Sequence, residues 1–130
     1  MEYEVVSPIF GFEEVTKMEL SKLDNIFFSL KNIEDDKPTF ALINPFVFRK
    51  YEFDIPDTIA HKLGIEDAND ISVLNIMVVA TPIEESRVNF AAPLIFNTKT
   101  KKLAQIILDE AKYADYGLSE KISDYLNKDK

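Results

Sequence analysis

Short apolar runs rich in Val, Ile and Phe make up this chain, and proline or polar turns keep cutting them off. The longest, Ile71 to Ala80 (ISVLNIMVVA), carries the polar Asn75 in its middle. That pattern fits a buried strand better than an amphipathic helix. Tyr3 to Val6 is short and β-favouring, Ser7-Pro8 ends it, and Gly11 adds a second bend. Asn25 to Leu30 (NIFFSL) has strand length, and Glu34-Asp35-Asp36-Lys37-Pro38 is a polar turn. Thr39 to Asn44 runs into Pro45, and a residue before proline prefers extended geometry; Phe46 to Phe48 continues the apolar run beyond it. Arg87 to Asn97 is interrupted by Pro93, whose missing N–H implies an edge strand, a bulge or a break. Thr98-Lys99-Thr100-Lys101 reads as a hairpin connection, with Leu103 to Leu108 as the second arm.

Two short helices are expected between these strands. In the first, Asp54 caps the N-terminus and Pro56 lies in the first turn. Ile55, Ile59 and Leu63 recur every four residues, and Gly64 supplies the stop. The second helix is C-terminal, over about residues 118–127, capped by Ser119, with Ile122, Tyr125 and Leu126 as its apolar stripe. Its polar end, Asn127 to Lys130, is expected to fray. Many short strands with two minor helices predict a mainly β, antiparallel, barrel-like single domain spanning residues 1–130.

Charge narrows the partners. Lys and Arg number 15 against 23 Asp and Glu, a net charge of −8. A field of that sign disfavours nucleic acid and anionic membrane as direct ligands and favours basic partners. The absence of cysteine excludes disulfides and thiolate chemistry. No apolar run approaches the roughly 20 residues of a membrane span. The N-terminal stretch lacks the basic region and long apolar core of a signal peptide, so the cytoplasm is the expected compartment.

A catalytic or metal centre finds little support. His61 is the sole histidine and falls on the polar side of the first helix. With no cysteine beside it, neither a Ser–His–Asp triad nor a zinc site has independent backing. Paired acids are common (Glu13-Glu14, Asp35-Asp36, Glu84-Glu85, Asp109-Glu110), but neighbours in a strand point to opposite faces. The acidic stretch Glu66 to Asp70 lacks the ligand spacing and central glycine of a calcium loop, and no phosphate-binding glycine motif exists. No cofactor is expected. Lys99, Lys101 and Lys102 form the densest basic group, on a presumed solvated turn without interleaved aromatics. What remains is an aromatic-rich chain with 10 Phe and 5 Tyr. Core packing explains most of them, and any exposed remainder suits a protein interface. The alternatives left open by the residues alone are a β-barrel small-ligand-binding module and a hydrolase using paired acids.

Several segments carry a resemblance. Pro8-Ile9-Phe10-Gly11-Phe12-Glu13, Phe40 to Phe46 (FALINPF), Tyr51 to Pro56 (YEFDIP), Val73 to Ile76 (VLNI), Asn89 to Asn97 (NFAAPLIFN) and Gln105 to Leu108 (QIIL) stand in this order over about residues 8–110. Together they resemble the motifs of the FliW family of flagellar assembly factors. Three departures stand beside them: a short leader before Pro8, Phe90 and Phe96 at positions more often aliphatic, and no shared motif from Lys112 to Lys130. The resemblance implies a monomeric cytoplasmic protein without enzymatic activity. It implies binding to flagellin and to CsrA, a dimeric RNA-binding repressor of flagellin translation that such proteins antagonise. Flagellin's amphipathic helical ends then require a hydrophobic groove, for which Phe27, Phe28, Phe46 and Phe48 are candidates. The candidate partner-binding residues are Asn44, Pro45, Phe46, Tyr51, Asp54, Glu66, Asp67, Asn89, Pro93 and Asn97, with Asn75 and Gln105 as further motif positions. The Phe46–Tyr51–Asp54 segment and the Glu66-Asp67 loop are favoured among them.

Overall fold

Alternation sets the sheet. In the computed structural model, which describes residues 1–126, the strands are β1 (Glu2–Ser7), β2 (Lys17–Lys22), β3 (Phe27–Asn32), β4 (Thr39–Ile43), β5 (Ile71–Val78), β6 (Arg87–Val88), β7 (Leu94–Asn97), β8 (Lys102–Gln105) and β9 (Glu120–Lys121). The two α-helices are α1 (Asp57–Leu63) and α2 (Ser123–Leu126). Neighbours run β4-β3-β2-β1-β8-β7-β5, and β5 pairs back onto β4, so seven strands close a barrel. Only the β1–β8 pairing is parallel among those described; β6 and β9 extend the sheet from β5 outside the ring. Closure removes the free edges on which an open sheet of this composition would aggregate.

Inward positions of alternate strands supply the barrel interior. Tyr3, Met18, Leu30, Leu42, Leu74, Leu94, Phe96 and Leu103 pack there, with Tyr3 and Phe96 edge to face at 5.0 Å. Two further apolar layers lie outside the ring. Helix α1 places Leu63 and Ile59 over Ile95, Ala104 and Ile106. The segments around Tyr51 and the C-terminal stretch cover Ile43, Met77, Val88 and Phe90. Both faces of several strands are therefore buried, which explains why their sequences read as apolar runs instead of clean alternations. It also explains Phe27-Phe28: the two face opposite ways, each is half-buried, and each meets a different apolar layer.

The main expectations hold, with local corrections. Asn75 is fully buried within β5. Pro93 separates β6 from β7, and β7 and β8 form the expected hairpin. In that turn Asn97 Oδ1 accepts from the N–H groups of Lys99 and Thr100. Phe46 does not continue a strand, because Pro45–Val47 is a 3-10 turn. Proline opens that turn, and Asn44 Oδ1 accepts from Phe46 N at 3.1 Å. Asp54 does not cap α1. Pro56 occupies the cap position, while the exposed Asp54 carboxylate pairs with Lys112 at 3.1 Å. The stop at Gly64 is as expected, with φ +68° and N–H bonds back to the helix carbonyls. The C-terminal helix begins at Ser123, not after Ser119, because Glu120-Lys121 pairs with β6 first. Its expected frayed end, Asn127 to Lys130, lies outside the described residues. Strand β2 has no counterpart among the expected strands: it offers only Met18 and Leu20 as apolar positions, too few to register as a run.

Candidate partner-binding surfaces

The segment after β4 builds a cluster of aromatic rings around one cation. Tyr51 is buried, and its hydroxyl donates to the Phe90 carbonyl while accepting from Asn75 Nδ2 at 3.1 Å. Asn75 Nδ2 also donates to the Asn89 carbonyl at 2.9 Å, tying three family-like segments together. Burial pushes the Tyr51 phenol well above its ordinary range, and the hydrogen bond from Asn75 offsets only part of that. Tyr51 contacts Phe46, Phe53, Phe90 and Tyr116 edge to face, with Tyr116 closest at 4.7 Å. The Arg49 guanidinium sits 5.0 Å from the Phe90 ring centre, 4.8 Å from Tyr116 and 5.4 Å from Tyr125. It also pairs with Glu120 at 3.2 Å and donates to the Tyr125 hydroxyl at 2.8 Å. Burial, then the Glu120 carboxylate, pushes the Tyr125 phenol up to about 12. The cluster fastens β9 and α2 onto the barrel and leaves few polar atoms for outside work.

The candidate residues divide into two groups at opposite ends of β5. Asn44, Pro45, Phe46, Tyr51 and Asn89 gather around the ring cluster, with Asp54 beyond it along the chain. Of these, Phe46 (55% exposed) and Asp54 present side chains to solvent. Asn97, Glu66 and Asp67 lie at the other end, where Asn97 Nδ2 donates to the Leu63 carbonyl at 2.9 Å. Asp67 Oδ1 accepts from Asn69 N and caps a 3-10 turn, and Glu66 beside it is exposed. Pro93 is buried between the groups.

Two apolar grooves open on the surface. One is lined by Leu23, Phe27, Phe28, Ala41, Met77, Val79 and Ile83. It contains two of the four expected groove phenylalanines; Phe46 and Phe48 lie outside it. The other lies at the mouth of the barrel, where Phe12, Phe40 and Ile76 close the interior and Phe10, Ile107 and Leu118 stand around them. Phe10 is 78% exposed, Ile107 63% and Leu118 70%. Gln105 shapes this mouth: its Oε1 accepts from Phe10 N at 2.7 Å and its Nε2 donates to the Ala92 carbonyl at 3.3 Å. Pro8–Glu13, Phe40–Phe46, Val73–Ile76, Asn89–Asn97 and Gln105–Leu108, five of the six family-like segments, thus each contribute to one groove.

Sequence reasoning passed over Arg49, Phe10, Ile107 and Leu118. Phe10 and Ile107 stand inside family-like segments without being marked there as surface residues, Arg49 and Leu118 stand outside them, and only the fold brings the four beside their partners. Among the described residues no group of three or more His, Asp or Glu side chains stands close enough to hold a metal ion, and no helix is long and apolar enough to cross a membrane.

The same fold and similar sequences occur in known proteins. The family model described as FliW protein matches residues 2–121. The chain is 47% identical over 129 residues to flagellar assembly factor FliW 2 of Wolinella succinogenes, covering 99% of this chain and 95% of that one. It is 44% identical over 128 residues to flagellar assembly factor FliW of Sulfurimonas denitrificans, covering 98% and 100% respectively. A crystal structure of the flagellar assembly factor FliW matches with a TM-score of 0.85 at 26% identity, over 93% of this chain and 84% of that chain. With a closed barrel in common and near-full-length matches at this level of identity, the chain belongs to the FliW family of flagellar assembly factors.

Proposed function

We propose that this assembly factor is a cytoplasmic partner switch that binds flagellin and, alternatively, CsrA, relieving repression of flagellin translation. The observation that carries the reading is the uncovered apolar surface, above all the barrel-mouth groove, on an acidic chain of this family. Apolar patches of this kind serve protein partners, and a net charge of −8 suits a basic RNA-binding one. The switch runs on mass action: accumulated flagellin occupies the protein and frees CsrA, and flagellin export reverses this. Of the two favoured surfaces, one meets a partner through Phe46 and Asp54 and the other through Glu66 and Asp67. Tyr51, Asn44, Pro45, Asn89, Pro93 and Asn97 hold those residues and the surrounding backbone in place. The acidic surface beside bound CsrA also repels RNA phosphates, so added salt weakens the antagonism.

Calorimetric titration with CsrA, and separately with flagellin from the same cell, tests this. Binding at about micromolar affinity or better is expected for each, with each partner lowering the apparent affinity for the other. A folded sample that gives no heat with either at two temperatures overturns the reading.

A further inference from the structure

We propose that residues 109–126 form a strap that covers the Phe46–Asp54 segment as an intramolecular competitor, so that a partner using this segment must first lift the strap. The inference rests on the reading above that Phe46 and Asp54 meet a partner. While the strap is docked, that segment is already engaged. Lys112 pairs with the Asp54 carboxylate at 3.1 Å, and the Tyr113 hydroxyl accepts from Asp54 N at 2.9 Å. The Tyr116 hydroxyl accepts from Glu52 N at 2.9 Å and donates to the Glu52 carbonyl at 3.0 Å. Residues 51–56 belong to no strand, so two tyrosine hydroxyls stand where a neighbouring strand would bond. The Tyr113 and Tyr116 rings stack at 5.9 Å, and Tyr116 lies edge-on to Tyr51 at 4.7 Å. Arg49, inside the same segment, donates to the strap's Asp115 carbonyl at 3.3 Å and pairs with its Glu120 carboxylate at 3.2 Å.

The attachment is light enough to be reversible. Ile122 is the one buried side chain of the strap among the described residues. From Asp109 to Ser119 the strap has turns but no helix or strand. Among the described residues, its backbone bonds to the barrel run from Phe90 N to Gly117 O, from Ile122 N to Ser86 O and through the two-residue pairing of β9 with β6. The contacts on Glu52 and Asp54 are made by side chains, and the Lys112–Asp54 pair is well exposed. A segment with little buried apolar area and few backbone bonds opens at a lower free energy than the barrel that carries it. Lifting it uncovers Tyr51, Phe90 and Arg49 and frees the N–H groups of Glu52 and Asp54. Lifting also carries away Leu118, one wall of the mouth groove, so the strap's position is felt at both surfaces.

Two variants of the full chain move the strap in opposite directions. Tyr113→Phe/Tyr116→Phe keeps the rings and removes the hydroxyls that hold Glu52 and Asp54. Apparent affinity scales with the lifted fraction while that fraction is small, so the protein that takes the segment, flagellin or CsrA, is expected to bind this variant at least about fivefold more tightly. A merely structural strap gives no such gain. Arg87→Cys/Lys121→Cys pins the strap instead, because these residues face each other across β6 and β9 and the chain has no other thiol. Its oxidised form is expected to bind the same protein at least about tenfold more weakly than its reduced form. Hydrogen exchange follows the strap without a partner: residues 109–126 are expected to exchange together and ahead of the ring strands, and the disulfide to slow them. Binding of both proteins left unchanged by either variant overturns the strap and leaves the partner-switch reading standing. So does exchange of residues 109–126 no earlier than the ring strands. No binding of either protein by the wild-type chain or by the tyrosine variant overturns the partner-switch reading itself, and the strap's role with it.

Discussion

The ring cluster at Arg49 and the groove at the barrel mouth are both built from family-like segments, yet they treat their surfaces in opposite ways. Around Arg49 the rings are covered by the C-terminal stretch, and the guanidinium meets Glu120, Tyr125 and the Asp115 carbonyl. At the mouth, Phe10, Ile107 and Leu118 stand in water, uncovered by the described residues. Motif residues therefore serve two ends here. Tyr51 and Asn75 hold the molecule together, whereas the groove keeps apolar area uncovered for binding. A cluster already satisfied inside the chain contributes stability and offers little to a partner; an uncovered apolar surface does the reverse.

Substitutions sharpen that contrast. The largest effect is expected at Phe90, fully buried between Arg49, Tyr51 and Tyr125: Phe90→Ala costs about 3–5 kcal/mol of stability, read by urea unfolding. A loss below about 1 kcal/mol would show that the cluster is not the clamp described. Next, Arg49→Ala removes the ion pair and the cation–ring contacts and leaves Glu120 facing the rings. Both partners are only partly shielded from solvent, so about 2 kcal/mol is expected. Hydrogen exchange should then rise first in β9 and α2; uniform exchange across the chain would argue against local fastening.

The mouth gives the opposite pattern. Ile107→Ser and Leu118→Ser change stability by less than about 0.5 kcal/mol because both side chains already face solvent. Their effect falls on binding. A large drop in unfolding midpoint with binding intact would reverse the comparison.

A further effect is alkaline. Tyr125 ionises in the folded chain only at about 12, against an ordinary value of 10.0. A raised phenol adds stability that is complete below the unfolded value and fades as pH climbs through the folded one. Unfolding free energy is therefore flat below about pH 10 and declines towards about pH 12. Tyr125→Phe should flatten part of that decline, and an unchanged limb would remove Tyr125 from the account. Tyr51 is raised in the same direction, so some of the decline persists in the variant.

How much was legible in the sequence differs by element. The runs that became β5, β7 and β8 were readable because Val, Ile, Leu and Phe crowd together there, and Pro93 announced its break. Strand β2 was not, since two apolar residues between charges leave a faint alternation. Asp54 had the chemistry of a helix cap, but Lys112, distant along the chain, took its carboxylate. The C-terminal stretch showed a helical stripe, yet Arg49 and β6 claimed Glu120 before the helix began.

By itself, then, the sequence determined the class of fold, the lack of thiol chemistry, the acidic field and the family, because each depends on composition or on local order along the chain. Tertiary structure alone decided which aromatic residues are spent on a cation and which are left in water. Arg49 and Glu120 meet across 71 residues, and Phe10 meets Gln105 across 95. Phe10 and Gln105 are brought together by the packing of the barrel strands and Arg49 and Glu120 by the docking of β9 outside the ring, and no local propensity encodes either.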